Sequence, residues 1–193
     1  MPEVPRAASF RHVVLVGLMG AGKTTVGERL ARDLGVPFVD GDAALRAAAG
    51  RDAATIAAGD GVPALAEIEA RVLLHALAAP GPTVFAAAAS VVDDRACRRA
   101  LREPGIAVVR LRARPATLAA RHASAGHRRP LGPDLAAAFA AQSRTRAARF
   151  AAVRPLVTID VDDLRVGAVV AAARDALAAQ AAVDRDGDGV GVA

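Results

Sequence analysis

The chain has 193 residues, of which 53% are hydrophobic and only 3% aromatic, and its formal charge is +5. The length fits one domain, and the arginines are scattered without interleaved aromatic residues, which argues against nucleic-acid binding. Its single cysteine excludes an internal disulfide. The sequence has no apolar leader and no charge-free apolar stretch of about 18 residues, so we expect a cytoplasmic protein that does not enter a membrane. We also expect it to be a monomer.

The apolar runs of the chain alternate between strand and helix patterns. Such alternation is typical of an α/β protein in which a mainly parallel sheet is covered by helices on both faces. The predicted strands span residues 12–17, 36–40, 82–90, 105–113 and 156–161. The predicted helices span residues 23–35, 64–79, 93–103, 115–123, 135–152 and 165–182, with a less clear helical stretch before residue 64.

Three segments lack this periodicity. Residues 124–134 are rich in Gly, Pro and Arg and are predicted to form a loop. Residues 1–10 and 181–193 lie at the two ends of the chain and are predicted to be disordered tails. The folded domain is therefore expected to lie within residues 11–180.

A glycine-rich motif lies between the first predicted strand and the first predicted helix. Residues 17–25 read GLMGAGKTT, and Lys23 within them is the only lysine of the chain. Gly17, Gly22, Lys23 and Thr24 match the pattern G-x-x-x-x-G-K-[ST] in the strand–loop–helix context that this pattern requires. In such a loop, backbone N–H groups and the lysine bind phosphates and the Ser/Thr hydroxyl binds Mg²⁺. The motif therefore predicts a site for ATP and Mg²⁺.

Around this motif the chain resembles the shikimate kinases, small P-loop kinases that transfer the γ-phosphate of ATP to a hydroxyl of shikimate. The resemblance covers about residues 11–180 and is carried by the stretch from LVGLMGAGKTT to RDAATIA, by RRPL and by RTRAARFAAV. It implies a three-layer P-loop fold with a five-stranded parallel sheet, a lid at residues 124–134 and a role in aromatic amino acid biosynthesis. The implied ligands are ATP, Mg²⁺ and a small-molecule acceptor.

The resemblance also implies roles for individual residues. Asp40 would act near Mg²⁺ together with Thr24, Asp42 would hold the acceptor hydroxyls and help accept the transferred proton, and Arg129 would close over the phosphates from the lid. On the residues alone, the Asp-Gly-Asp sequence fits a structural cluster of turn and helix N-cap as well as it fits a functional role, and Arg129 could be a solvated loop arginine. The implied nucleotide-binding residues are Gly20, Ala21, Gly22, Lys23, Thr24, Thr25 and Arg121.

The acceptor side departs from the family at a strand end. The family has three glycines there, which bind shikimate through their backbone amides, whereas this chain has alanine at residues 87–89. Each added methyl group narrows the pocket and removes easy access to unusual backbone angles. Ala88 and Ala89 are nevertheless the residues expected to contact the acceptor.

The acceptor side departs a second time at the family's carboxylate-binding arginines. Arg146 aligns with one of them, although an ordinary exposed arginine on an Arg-rich helix is an open alternative. Ala66 stands where the family has the second, so Glu69 is expected to lack its usual partner. A missing charged partner costs about 1.5–3 kcal/mol, which is roughly tenfold to a hundredfold in affinity.

Three functions remain open from the sequence. The chain could be a shikimate kinase, a kinase of another small cyclic polyol that lacks a carboxylate, or a nucleotide-binding protein that phosphorylates nothing and acts through a partner. The two enzymes are favoured because phosphoryl transfer depends on positioning and charge stabilisation by groups such as Lys23, Thr24, Asp40, Asp42 and Arg129.

Overall fold

The computed structural model of the chain describes residues 10–123 and 134–188. It contains a five-stranded parallel sheet with the strand order β2-β3-β1-β4-β5 and helices on both faces, which confirms the predicted α/β architecture. The strands are β1 His12–Val16, β2 Phe38–Asp40, β3 Thr83–Ala86, β4 Ile106–Arg112 and β5 Val157–Asp160. The helices are α1 Lys23–Leu34, α2 Gly41–Ala49, α3 Ala53–Gly59, α4 Gly61–Ala78, α5 Arg95–Ala100, α6 Pro115–Ala123, α7 Leu135–Ala152 and α8 Val166–Asp188.

The central strand β1 explains why its sequence is almost wholly apolar. Every residue of β1 is buried, and the strand pairs with β3 on one side and with β4 on the other. Helices cover both faces of a parallel sheet, so neither face of a central strand meets water. The strand thereby fixes the position of the glycine-rich loop that follows it.

The structure departs from the predicted elements at three places. The strand predicted over residues 82–90 ends at Ala86, and Ala89–Val92 forms a short 3₁₀ helix, because a run of alanines carries no periodicity that distinguishes strand from turn. The region between β2 and β3 holds three helices rather than two. The final helix continues to Asp188, so residues 181–188 are helical and not the disordered tail that was predicted.

A small apolar cluster joins the three helices that follow β2. It consists of Leu45 from α2, Ile56 from α3 and Leu65 from α4, each 3% exposed or less. Because these side chains are shared, α2 and α4 are held side by side. Their neighbouring faces border the site described below.

Among the described helices, α8 is the one whose length and composition could also suit a membrane span. This is weak evidence, because a core helix of a globular protein passes the same test. Val169, Val170, Ala173 and Leu177 of α8 belong to the main core, and Arg174 pairs with Asp33 of α1 at 3.6 Å.

Candidate active site

The loop after β1 has a backbone that only glycine adopts readily. Gly17, Gly20 and Gly22 have φ angles of +149°, +85° and +90°, in the region that other residues rarely occupy. A Cβ atom on Gly17 would also collide with the backbone carbonyl of Leu111 in β4. The glycines of the motif are therefore required by the shape of the loop.

Lys23 lies folded over this loop at the start of α1. Its Nζ donates hydrogen bonds to the carbonyl oxygens of Gly17 at 2.9 Å and Leu18 at 3.1 Å. The N-cap residue Gly22 supplies no side-chain hydrogen bond to the helix terminus. The loop thus combines an ammonium group with the N-terminus of a helix, an arrangement that binds phosphate.

Thr24 and Asp40 form the polar pair that was predicted to hold Mg²⁺. The Thr24 hydroxyl donates to Asp40 Oδ2 at 2.7 Å, although sixteen residues separate them. The other oxygen of Asp40, Oδ1, accepts hydrogen bonds from the N–H groups of Asp42 at 3.0 Å and Ala43 at 3.1 Å and so caps α2. Asp40 therefore caps α2 with one carboxylate oxygen while the other is bonded to Thr24, so the N-cap does not exclude the predicted role near Mg²⁺.

A cavity of about 610 Å³ extends from this loop across the carboxyl ends of β2 and β3. Ligands of open α/β sheets bind in this position. Opposite the loop, its wall is formed by α2, α4 and α7. The predicted site residues that line the cavity are Gly20, Gly22, Lys23, Thr24, Thr25, Asp40, Asp42, Ala88, Ala89 and Arg146.

Two of the predicted site residues that the structure describes, Ala21 and Arg121, do not line this cavity. Ala21 is buried behind the loop, only 2% exposed. Arg121 of α6 donates to the carbonyl oxygen of Val161 at 3.0 Å and to that of Gly20 in the glycine-rich loop at 3.4 Å. It therefore supports the loop from outside. Arg129 and most of the predicted lid lie outside the described residues.

Arg146 enters the acceptor side of the cavity from α7 and is held by Asp93. Its Nε and Nη2 donate to Asp93 Oδ2 at 2.9 and 2.7 Å, and Arg149 donates to Oδ1 at 2.7 Å. Burial of the Asp93 carboxyl opposes its ionisation, but the hydrogen bonds from both arginines outweigh burial and hold its pKa below the ordinary value. Arg146 is thus a positioned cation and not a freely solvated one.

Two contacts and angles on the acceptor side add to what the sequence indicates. Ala88 adopts ordinary extended angles (φ −61°, ψ 151°), and among the described non-glycine residues a positive φ occurs at Arg154 alone. The alanines that replace the family's glycines therefore introduce no backbone strain. Glu69 has a partner despite the alanine at position 66, because it accepts a hydrogen bond from the Ser90 hydroxyl.

Sequence reasoning missed four polar residues of the cavity. They are Arg46, Asp52, Ser90 and Gln142. A helical spacing of four residues from Asp42 could have identified Arg46, because residues four apart share one face of a helix. The other three come close only through the packing of separate elements.

The fold and the loop define a P-loop phosphotransferase of the small-molecule kinase type. The family model described as shikimate kinase matches residues 19–182. The chain therefore belongs to the shikimate kinase family.

Individual relatives agree with this membership. A shikimate kinase of Symbiobacterium thermophilum is 44% identical over 64% of this chain and 71% of its own length. That of Cereibacter sphaeroides is 45% identical, but the alignment covers only about half of either chain, 51% and 49%. The solved structure of an Acinetobacter baumannii shikimate kinase in complex with shikimate superposes with a TM-score of 0.74 at 25% identity, covering 94% of this chain and 96% of that one.

Proposed function

We propose that this protein transfers the γ-phosphate of ATP to a hydroxyl of shikimate. The observation that carries the proposal is the single cavity that joins the glycine-rich loop and Lys23 to Asp42 and Arg146. Membership of the shikimate kinase family supports the reaction, and the shikimate-bound Acinetobacter relative supports the acceptor. By this assignment the protein serves aromatic amino acid biosynthesis.

The nucleotide half of the cavity fits ATP and Mg²⁺. The positive φ angles of the three glycines suit a loop whose N–H groups bind phosphate, and Lys23 would exchange its carbonyl partners for phosphate oxygens. Thr24 and Asp40 would hold Mg²⁺, since both present hard oxygen ligands and already lie 2.7 Å apart. When bound, the metal neutralises negative charge on the phosphates.

The acceptor half supplies groups for the other end of the reaction. Asp42 would orient the attacking hydroxyl and accept its proton, while Arg146 would bind the acceptor carboxylate through its fork of N–H groups. The hydroxyl oxygen forms a bond to the γ-phosphorus and the bond between that phosphorus and the β–γ bridging oxygen breaks. ADP leaves with the electron pair of the broken bond. Arg129 would add positive charge from the predicted lid.

Replacing Lys23 by alanine tests the assignment. The assay measures ADP release from Mg-ATP with and without shikimate, and the Lys23→Ala variant is expected to lose about 100-fold to 1,000-fold in kcat, as is typical when one charge-stabilising donor is removed. Arg29→Ala provides a control, because Arg29 is a cation on the same helix that is exposed and does not line the cavity. Full turnover by the Lys23 variant would refute the nucleotide site.

The same assay should also be run with a second class of acceptor. Ala66 removes one expected cation, and Arg146 is already hydrogen-bonded to Asp93, so a cyclic polyol without a carboxylate is a competing substrate. It should be phosphorylated at least as well as shikimate if this alternative holds. ATP binding without turnover of any acceptor would instead indicate a nucleotide-binding protein that acts through a partner.

A further inference from the structure

The acceptor half of the cavity has an apolar wall around position 66, where the resemblance to the family implies an arginine. Val62, Leu65 and Ala66 of α4 line the cavity together. A carboxylate placed against this wall would lose water without gaining a charged partner, which is unfavourable. An acceptor that carries a carboxylate therefore needs a cation from a different element.

Arg46 reaches the same cavity from the neighbouring helix. It lies one helical turn after Asp42 on α2, and both residues line the cavity. Between them in sequence, Leu45 is fully buried against Leu65 of α4 and so fixes the two helices against each other. Arg46 and Ala66 thus border one space from two adjoining helices.

Among the described cations that line the cavity, Arg46 has the side chain with the fewest interactions within the protein. Lys23 is bonded to loop carbonyls, and Arg146 is held by Asp93. Within the part of the chain that the structure describes, the exposed side chain of Arg46 makes no hydrogen bond or ion pair. Its guanidinium can therefore turn toward an incoming anion.

The effect of Arg46 on a neighbouring acid agrees with its place at the cavity. Asp52, which also lines the cavity, has a pKa below the ordinary value. The main causes are hydrogen bonds from the backbone N–H and the hydroxyl of Thr55, and the nearby charge of Arg46 adds to them. The positive charge of Arg46 therefore acts on Asp52, another residue of the cavity lining.

We propose that Arg46 binds the carboxylate of the acceptor together with Arg146, and so replaces the arginine that is absent at position 66. This inference rests on the proposed function, since it names the group that recognises the acid of the acceptor. A guanidinium suits the task because its planar fork matches the two oxygens of a carboxylate. In this chain the cation comes from α2 instead of α4.

The test compares two acceptors in two matched variants. Arg46→Gln is expected to raise the KM for shikimate about tenfold to a hundredfold, the usual effect of losing a charged hydrogen bond. The KM for ATP, and the KM for the shikimate analogue whose carboxylate is reduced to a hydroxymethyl group, should stay unchanged. Arg71→Gln serves as the control, because Arg71 is exposed on α4 but does not line the cavity.

A swap variant and a binding measurement make each outcome decisive. Adding Ala66→Arg to Arg46→Gln should restore the KM for shikimate, whereas equal effects on both acceptors, or no effect of Arg46→Gln, would overturn the role of Arg46. Calorimetric titration of shikimate into wild type and the Arg46 variant separates this inference from the proposed function. Binding that depends on Arg46 without turnover would refute only the kinase assignment, and turnover that is independent of Arg46 would refute only this inference.

Discussion

Replacing Asp93 by asparagine tests whether the Arg146–Asp93–Arg149 cluster stabilises the acceptor wall. The substitution keeps the shape of the side chain but removes the negative charge that two arginines share. The Asp93 side chain is 30% exposed, and those of Arg146 and Arg149 are 19% and 45% exposed. The cluster is therefore partly shielded from water, and its charges are screened less than those of a surface pair.

The expected cost follows from these exposures. Hydrogen bonds to charged groups contribute about 1.5–3 kcal/mol each when well shielded, whereas exposed ion pairs contribute about 0–1 kcal/mol. With one well-shielded arginine and one half-exposed arginine, we expect Asp93→Asn to lower the free energy of unfolding by about 2 kcal/mol. For a chain of this length that corresponds to a fall in Tm of about 4–8 °C.

Urea unfolding over a range of pH provides the assay. The lowered pKa of Asp93 means that its stabilisation is complete above about pH 4, the ordinary value for an unfolded aspartate, and is lost as the pH falls through the folded pKa. The gap between wild type and Asp93→Asn should therefore close in acid. Asp163→Asn is the control, since Asp163 is 88% exposed and 3.5 Å from Arg114. A gap no larger than that of the control, or one that persists unchanged in acid, would refute the reasoning.

Two further predictions concern the strand that leads into the loop and the loop itself. Gly17→Ala should abolish Mg-ATP binding in calorimetry and lower the free energy of unfolding by at least about 1–3 kcal/mol, because the new Cβ meets the Leu111 carbonyl at a strained φ. The control is Gly167→Ala, which has open space around the new Cβ and should not lower the free energy of unfolding. Equal behaviour of the two variants would contradict the geometry of the glycine-rich loop. His12 has a lowered pKa, mainly through burial and then through the charge of Arg11, so the free energy of unfolding should fall as the pH drops below about 6.5. His12→Asn should remove that part of the pH dependence, and an unchanged slope would exclude His12 as its source.

Local patterns allowed the nucleotide half of the site to be predicted. A glycine-rich loop between an apolar strand and an amphipathic helix specifies its own geometry, since φ angles, helix N-terminus and lysine all lie within residues 17–25. The helix predicted over residues 135–152 matches α7 for the same reason, because its capping residue Asp134 and its helix-forming composition are local. The alanine run after β3 was not predictable in this way.

The acceptor half depended on contacts between distant residues. Arg146 meets Asp93 across 53 positions, and Arg121 reaches Gly20 across 101. No periodicity or spacing encodes such pairs. Sequence reasoning did not find the Ser90 partner of Glu69, because that contact requires the packing of α4 against the turn after β3. It also left Arg46 unnoticed, although the spacing of Arg46 from Asp42 was available.

The sequence by itself determined the phosphate-binding loop and the order of strands and helices, because these follow from backbone preferences and hydrophobic periods over a few neighbouring residues. Only the tertiary structure decided which charges surround the acceptor. Their energies depend on distance and on exclusion of water, and both arise when α2, α4 and α7 pack around the carboxyl ends of the sheet.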